Sequence, residues 1–225
     1  VAFRGRMLDI PVYESEEADA LINAAARSGS VLAVGHSERF NPAVVAARPS
    51  IKDPRFIEVH RLGTMPGRSL DIDVVLDLMI HDLDLILSVV PSEVESVEAV
   101  GVPVLTPKVD IANARLRFKN GCIANLTASR ISRDQVRKIR FFERQRYISI
   151  DTASKEVEMY ELVPQTGAPP AIGGGKQAVA GEEPLRSELE DFVAAVRDRR
   201  SPAVTGKQGR DALALAVRIV ELMRQ

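Results

Sequence analysis

The sequence has 225 residues, 45% of them hydrophobic and 27% charged, with a formal net charge of −1. That balance belongs to a globular chain with one large domain or a domain and a part of another, and it carries no electrostatic footprint for nucleic acid or an anionic membrane. No apolar run approaches the roughly 20 residues of a bilayer span. The opening Val-Ala-Phe-Arg-Gly-Arg lacks the apolar core of a secretory signal. The single Cys122 excludes an internal disulfide framework, so a cytoplasmic setting is expected.

In chain order, residues 15–35 predict a helix and then a buried strand. Ser15 is placed to cap the helix, Glu16 and Glu17 complement its positive end, and Ala18, Leu21, Ile22 and Ala25 form its apolar stripe. Gly29 stops it, and Val31-Leu-Ala-Val34 reads as a short strand of a parallel, doubly wound sheet. A short helix is expected over Ala43–Ala47, a strand over 55–62, a loop over 63–70, and a long apolar helix over 73–90 ended by Pro91. The hydrophobic period then becomes two. Val94–Val104, Ile111–Lys119, Cys122–Arg130, Val136–Phe142, Tyr147–Asp151 and Val157–Leu162 are expected strands, with Asn120-Gly121 as a hairpin turn. Residues 163–182, rich in Pro, Gly and Ala, are expected to be a loop. Gly173-Gly174-Gly175 there lacks the spacing of a phosphate cradle. A helix from Pro184, with Leu185, Leu189, Phe192, Val193 and Val196 on one face, and another over about 208–223 close the chain.

Strands clustered between helices predict an α/β chain of α+β character, with a mostly antiparallel sheet covered by helices on one face. The open face is expected to carry Arg115, Arg117, Thr127, Ser129 and Arg137, and to pair with a second copy into a homo-oligomer. The basic run Arg137 to Arg146 reads as a solvated strand face, and Cys122 as a core thiol.

The chemistry-bearing segment is Asp73-Val-Val-Leu-Asp77-Leu-Met-Ile-His81-Asp-Leu-Asp84-Leu-Ile-Leu-Ser88. On a helix Asp73, Asp77, His81, Asp84 and Ser88 form one polar stripe on an otherwise apolar rod. A buried, unpaired carboxylate is too costly to tolerate, so the stripe must meet water, a partner or a site. Three readings stand at this point. Asp77 and His81 could be a structural pair, Asp77, His81 and Asp84 could bind a metal, or His81 could move a proton. Imidazole titrates near neutrality, and a neighbouring carboxylate orients it and favours its charged form.

Asp77-Leu-Met-Ile-His81-Asp-Leu-Asp84 resembles the Asp-x-Gly-x-His-x-x-Asp segment of the glucose–fructose oxidoreductase/inositol dehydrogenase/MocA (Gfo/Idh/MocA) family. Val34-Gly-His-Ser-Glu-Arg39-Phe-Asn-Pro42 is similar to that family's Arg-Phe/Tyr-x-Pro segment, in the form found in the branch acting on UDP-N-acetylglucosamine. With Asn120-Gly121, Ala128-Ser129-Arg130 and Pro184–Val196 in the family's order, the resemblance runs from about residue 15 to the end. It implies an NAD- or NADP-dependent sugar dehydrogenase, with His81 the acid/base and Asp77 its partner. It places Arg39, Asn41 and Pro42 where the nicotinamide meets the substrate. His60, Arg61 and Arg68 are cations suited to a nucleotide-sugar pyrophosphate.

Residues 1–40 are then the end of a dinucleotide-binding domain, and 41–225 a substrate domain. Three features depart from the family. No Gly-x-Gly-x-x-Gly turn follows a strand, Asp9-Ile10-Pro11 stands for the family's Glu-Lys-Pro, and Met79 replaces a glycine. They leave an alternative in play, a non-catalytic assembly or binding module on the same fold.

Overall fold

A computed structural model describes residues 12–64 and 71–224. Helix α1 (Ser15–Ser28) ends where Gly29 turns left-handed at φ 65° and Ser30 N–H donates back to Ala25 O. Glu14, not Ser15, holds its capping position, and α1 packs on helix α5 (Gly206–Leu222) with none of its own residues buried. The strand expected at Val31–Val34 does not form. Ala33 makes one isolated antiparallel bridge to Thr205, because among the described residues no second strand lies beside it.

Asn41 accepts a bond from Ala43 N–H and Pro42 takes the first position of α2 (Pro42–Ala47), the entry both residues favour. Strand β1 (Phe56–Leu62) follows. The long apolar helix over 73–90 is present but not uniform. A π-helical turn, Val75–Met79, runs directly into α3 (Ile80–Val89).

The rest of the sheet is β2 (Val94–Val102), β3 (Ile111–Phe118), β4 (Ile123–Ser129), β5 (Val136–Glu143), β6 (Arg146–Asp151), β7 (Glu156–Gln165) and β8 (Ala168–Gln177). The eight strands lie in the order β2-β3-β4-β1-β5-β6-β7-β8. Every neighbouring pair is antiparallel except the central β1 and β4, which run parallel. The turn at Asn120-Gly121 joins β3 to β4, with Gly121 at φ 85°.

Most of the segment expected to be a loop at 163–182 is instead the hairpin of β7 and β8. Its composition misleads because β8 is an edge strand, and Pro169 and Pro170 fall at the register shift opposite Val163–Gln165, where the ladder is interrupted. Gly174 lies so close to β7 that a Cβ there would stand 2.0 Å from Met159 O. Gly173 and Gly174 therefore serve close strand approach, whereas Gly175 has open space beside it.

Alternation sorts the sheet into two faces. Ile57 and Val59, Ala114 and Leu116, Leu126, Ile139 and Phe141, and Ile148 and Ile150 are buried beneath Met79, Leu83 and Ile86 and beneath Leu215 and Ile219 of α5. The opposite face carries Glu58, His60, Asn113, Arg115, Asn125, Thr127, Lys138 and Arg140, many of them paired to each other. Arg137 was expected there but shares the phase of Ile139 and Phe141, so it lies on the covered side. Ser129 has the open-face phase yet is fully buried, bonded to Ser132 at the turn that follows. Helix α4 (Pro184–Asp198) packs on the turn at Ser37–Phe40, while Leu185, Leu189 and Val193 face outward. Burial pushes the Cys122 thiol up to about 11, in keeping with a core thiol. No helix among the described residues is long and apolar enough to cross a membrane.

One buried ion pair anchors the end of β4 to the entrance of the long helix. Arg130 and Asp110 are 1% and 0% exposed and meet at 2.9 Å. Asp110 Oδ2 also accepts from the N–H groups of Val104, Leu105 and Thr106, and Arg130 donates to Ile72 O and Val109 O. Removing one partner leaves the other charged and desolvated. Asp110→Ala should therefore destabilise the fold by about 3–5 kcal/mol, read from the urea midpoint. A loss under about 1 kcal/mol would show that the pair is dispensable.

Candidate functional site

Helix α3 carries Asp82 and Asp84 into the interior, at 2% and 1% exposure. A carboxylate this deep needs a cation with matching geometry, and each has an arginine. Arg61 of β1 donates Nε and Nη2 to the two oxygens of Asp82, both at 2.7 Å. Arg39 donates Nε and Nη2 to Asp84 at 2.6 and 3.0 Å. Two residues apart on a helix, the carboxylates point to different sides, so one arginine pins α3 to the sheet and the other pins it to the turn at Ser37–Phe40.

Glu38 links the two sides. Its Oε1 accepts from Arg61 Nη1 at 3.1 Å and its Oε2 from Asn41 Nδ2 at 3.2 Å. Asn41 Nδ2 also donates to Thr152 O. Burial alone would lower the Arg61 guanidinium, but Asp82 and Glu38 outweigh it and hold the charge firmly.

His81 lies between these clasps and meets His36. Their Nδ1 atoms are 3.2 Å apart, and the rings stand edge to face at 83°. His36 is buried at 4% exposure, whereas His81 keeps partial access to solvent. Burial lowers the pKa of both. For His81 burial, His36 and Arg61 together outweigh Asp82 and Glu38 and push it down to about 4. For His36 burial leads, with Asp84 raising and Arg39 lowering. Both rings are therefore neutral near pH 7.

The polar stripe expected along 73–88 is divided among separate tasks. Asp73 accepts from Val109 N–H, Asp84 binds Arg39, and Ser88 Oγ donates to Leu85 O. Asp77 lies in the π-helical turn, half-buried, and among the described residues no hydrogen bond joins it to His81. The ring partner of His81 is His36. With both oxygens of Asp84 taken by Arg39, Asp77, His81 and Asp84 do not form a metal-ligand set, and the described residues hold no other cluster that could. Met79 is fully buried in the core, so it acts in packing and not at a substrate opening.

The structure thus gathers Arg39, Asn41, Pro42, Arg61 and His81 and leaves His60 apart. Neighbours on one strand point to opposite faces. Arg61 reaches α3 on the covered side while His60 stands on the open face, so the two cannot share a site within one copy. Arg61 was expected to contact a pyrophosphate, but Nε, Nη1 and Nη2 are all engaged by protein carboxylates. Arg68 lies outside the described residues, as does the Asp9-Ile10-Pro11 segment. His36, Glu38 and Asp82 are the site residues that sequence reasoning passed over. His36 and Glu38 lie inside the Gly35–Pro42 motif and Asp82 beside His81, but only the fold shows what they touch.

A nicotinamide dinucleotide needs a cradle for its pyrophosphate, and among the described residues no glycine turn opens a helix in that way. Arg39 and Asn41 already bind Asp84, Glu38 and Thr152. These residues are committed to protein partners and supply no dinucleotide cradle.

A mostly antiparallel eight-stranded sheet with helices on one face is an architecture that the chain shares with a class of oxidoreductases. Residues 65–147 match the GFO/IDH/MocA C-terminal domain. Over 210 residues the chain is 40% identical to the UDP-N-acetylglucosamine 3-dehydrogenase of Acidithiobacillus ferrooxidans, covering 92% of this chain and 66% of that protein. A solved structure of that enzyme superposes with a TM-score of 0.87 at 38% identity, over 95% of this chain and 69% of the other. Levoglucosan dehydrogenase, solved in complex with NADH and L-sorbose, shares the fold at 16% identity and a TM-score of 0.80, over 95% and 69% of the two chains. The chain belongs to the Gfo/Idh/MocA family of oxidoreductases. It spans about two thirds of the length of the curated relative it matches.

The neutral histidines have a consequence for acid stability. An unfolded histidine titrates near 6.5, so below that pH the unfolded chain binds protons that the folded chain refuses. Stability should be complete above about pH 6.5 and fall as the pH drops toward about 4, where His81 titrates. The His81 contribution is up to roughly 3 kcal/mol. Denaturant midpoints at about pH 7 and pH 5 should differ less for His81→Gln than for the parent chain. Equal differences would mean that His81 is not held neutral.

Proposed function

We propose that this chain carries the substrate side of an NAD(P)-dependent dehydrogenase acting on a secondary hydroxyl of a sugar or nucleotide sugar, with UDP-N-acetylglucosamine the first substrate to test. The observation that carries this reading is a partly accessible histidine, held neutral by burial, where α3 meets the Gly35–Pro42 segment. The identity of the relative narrows the substrate. An alcohol carbon that gives up a hydride to an oxidised nicotinamide must also lose its hydroxyl proton. His81 takes that proton as general base and returns it as general acid in the reverse direction. Asp77, one turn earlier, is the second group assigned to the acid/base step.

Arg39 and Arg61 act from behind, keeping α3 in place through Asp84 and Asp82. Arg39, Asn41 and Pro42 form the wall against which the nicotinamide end meets the sugar, and Arg68 remains the candidate contact for a pyrophosphate. We assign residues 1–40 to the edge of the dinucleotide-binding domain and 41–225 to the substrate domain. Since hydride transfer depends on positioning, tight cofactor binding requires the residues that cradle the dinucleotide.

Calorimetry on these 225 residues should show only weak NAD(H) or NADP(H) binding. With a dinucleotide-binding domain joined to the chain, nicotinamide reduction should be measurable on UDP-N-acetylglucosamine. His81→Asn should then lower kcat by about 10²–10⁴-fold, the usual worth of a positioned acid/base, and Asp77→Asn should act in the same direction. Unchanged kcat in His81→Asn would rule out the mechanism.

We propose also that the open sheet face binds a second copy. Phe56, Phe142, Tyr147 and Tyr160 form a row of ring contacts across β1, β5, β6 and β7 on that face, with centroids 5.5, 5.2 and 6.3 Å apart. Aromatic rows framed by polar residues favour association. Light scattering should report a dimer or larger assembly that Tyr147→Glu dissociates, while a monomer at high concentration would reject the interface.

A further inference from the structure

The contact between His36 and His81 constrains where protons can sit. A hydrogen bond between two ring nitrogens needs one protonated and one bare, so two neutral arrangements satisfy the 3.2 Å Nδ1–Nδ1 contact. In the first, His36 donates, and His81 must carry its proton on Nε2. That nitrogen then has no lone pair to offer a substrate hydroxyl. In the second, His81 donates from Nδ1 to His36, which keeps its own proton on Nε2, and Nε2 of His81 is bare. Only the second makes His81 a base.

Accessibility separates the two rings. His36 is the buried partner and His81 the partly exposed one, and His81 Nδ1 is occupied by His36. Nε2 is thus the nitrogen of His81 left for a substrate. The charged groups around the pair are already matched to one another, Arg39 with Asp84, and Arg61 with Asp82 and Glu38. None of them hydrogen-bonds to either ring among the described residues, so His36 is the partner through which the tautomer of His81 can be set.

We propose that His36 is a positioning residue that accepts a hydrogen bond at Nδ1 and so holds His81 in the Nδ1–H tautomer, with Nε2 bare toward the substrate. This rests on the assignment of His81 as acid/base. In the step itself the O–H bond of the sugar hydroxyl breaks and an N–H bond forms at Nε2 of His81, while the hydride from the same carbon goes to the oxidised nicotinamide. His81 becomes an imidazolium whose Nδ1–H still points at a neutral acceptor, so no new like-charge contact arises. A neutral acceptor stabilises that cation less than a carboxylate would. It therefore orients the ring without raising its affinity for a proton, and the base stays unprotonated at neutral pH.

The chain has three histidines, so the test can be made on every one of them. With ¹⁵N-labelled histidine in the 225-residue chain, long-range ¹H–¹⁵N NMR correlations distinguish a protonated ring nitrogen from a bare one. His60, on the open face, serves as the internal reference. At neutral pH His81 should show Nδ1 protonated and Nε2 bare, and His36 the reverse. In His36→Phe, with no acceptor, His81 should shift to the Nε2–H tautomer. In His36→Gln, whose side-chain carbonyl can accept, the Nδ1–H tautomer should return.

An Nε2–H tautomer for His81 in the parent chain, or a His81 pattern unchanged in His36→Phe, would overturn the proposal. The parent measurement needs no variant to fold. Failure of the underlying assignment looks different. If His81→Asn retains turnover in the chain joined to a dinucleotide-binding domain while the tautomers are as stated, the acid/base reading fails and the pairing stands.

Discussion

A carboxylate removed from water must be matched by a cation with the right geometry, and α3 brings two of them into the interior. The pairs Asp82–Arg61 and Asp84–Arg39 are nearly dry, so either partner alone would be an uncompensated buried charge. That penalty ties α3 to β1 on one side and to the turn at Ser37–Phe40 on the other. The position of His81, and its approach to His36, follow from this double attachment. Hydrophobic packing by Leu83 and Ile86 sets the depth of the helix, but packing is not directional enough to fix its rotation. Bidentate ion pairs are.

The same logic separates residues whose polar groups are matched from the one whose ring is not. Arg61, Arg39, Glu38 and Asn41 have polar neighbours that satisfy most of their capacity, and they form a frame. His81 differs. It is partly accessible, neutral and, among the described residues, bonded through one ring nitrogen. The frame is largely satisfied and the central group is not, a division that the proposed acid–base role of His81 would use, because a group that exchanges a proton needs surroundings that stay still.

The π-helical turn at Val75–Met79 bears on the same geometry. It buries Met79 in the core and leads directly into the residues that hold the arginines. The Arg130–Asp110 pair secures the chain immediately upstream through Ile72 and Val109. The helix bearing His81 is therefore clamped at its entrance by one ion pair and along its length by two more.

Much of this protein is local in origin and was determined by sequence alone. The period-two strands from β2 to β7, the Asn120-Gly121 hairpin, the stop of α1 at Gly29 and the helix bearing His81 all follow from patterns within a few residues. The quoted motifs around Arg39 and His81 were enough to resemble one family. What the sequence could not determine involved partners distant along the chain. His36 and His81 are 45 positions apart, as are Arg39 and Asp84, and no periodicity announces which charges will meet. Phase on the central strand sent His60 and Arg61 to opposite faces, although both had looked like substrate contacts. The edge position of β8 let a Pro- and Gly-rich segment become a strand, since an edge needs hydrogen bonds on one side only. Local structure is a matter of propensity, but the pairing of buried charges is settled only when folding removes the water between them.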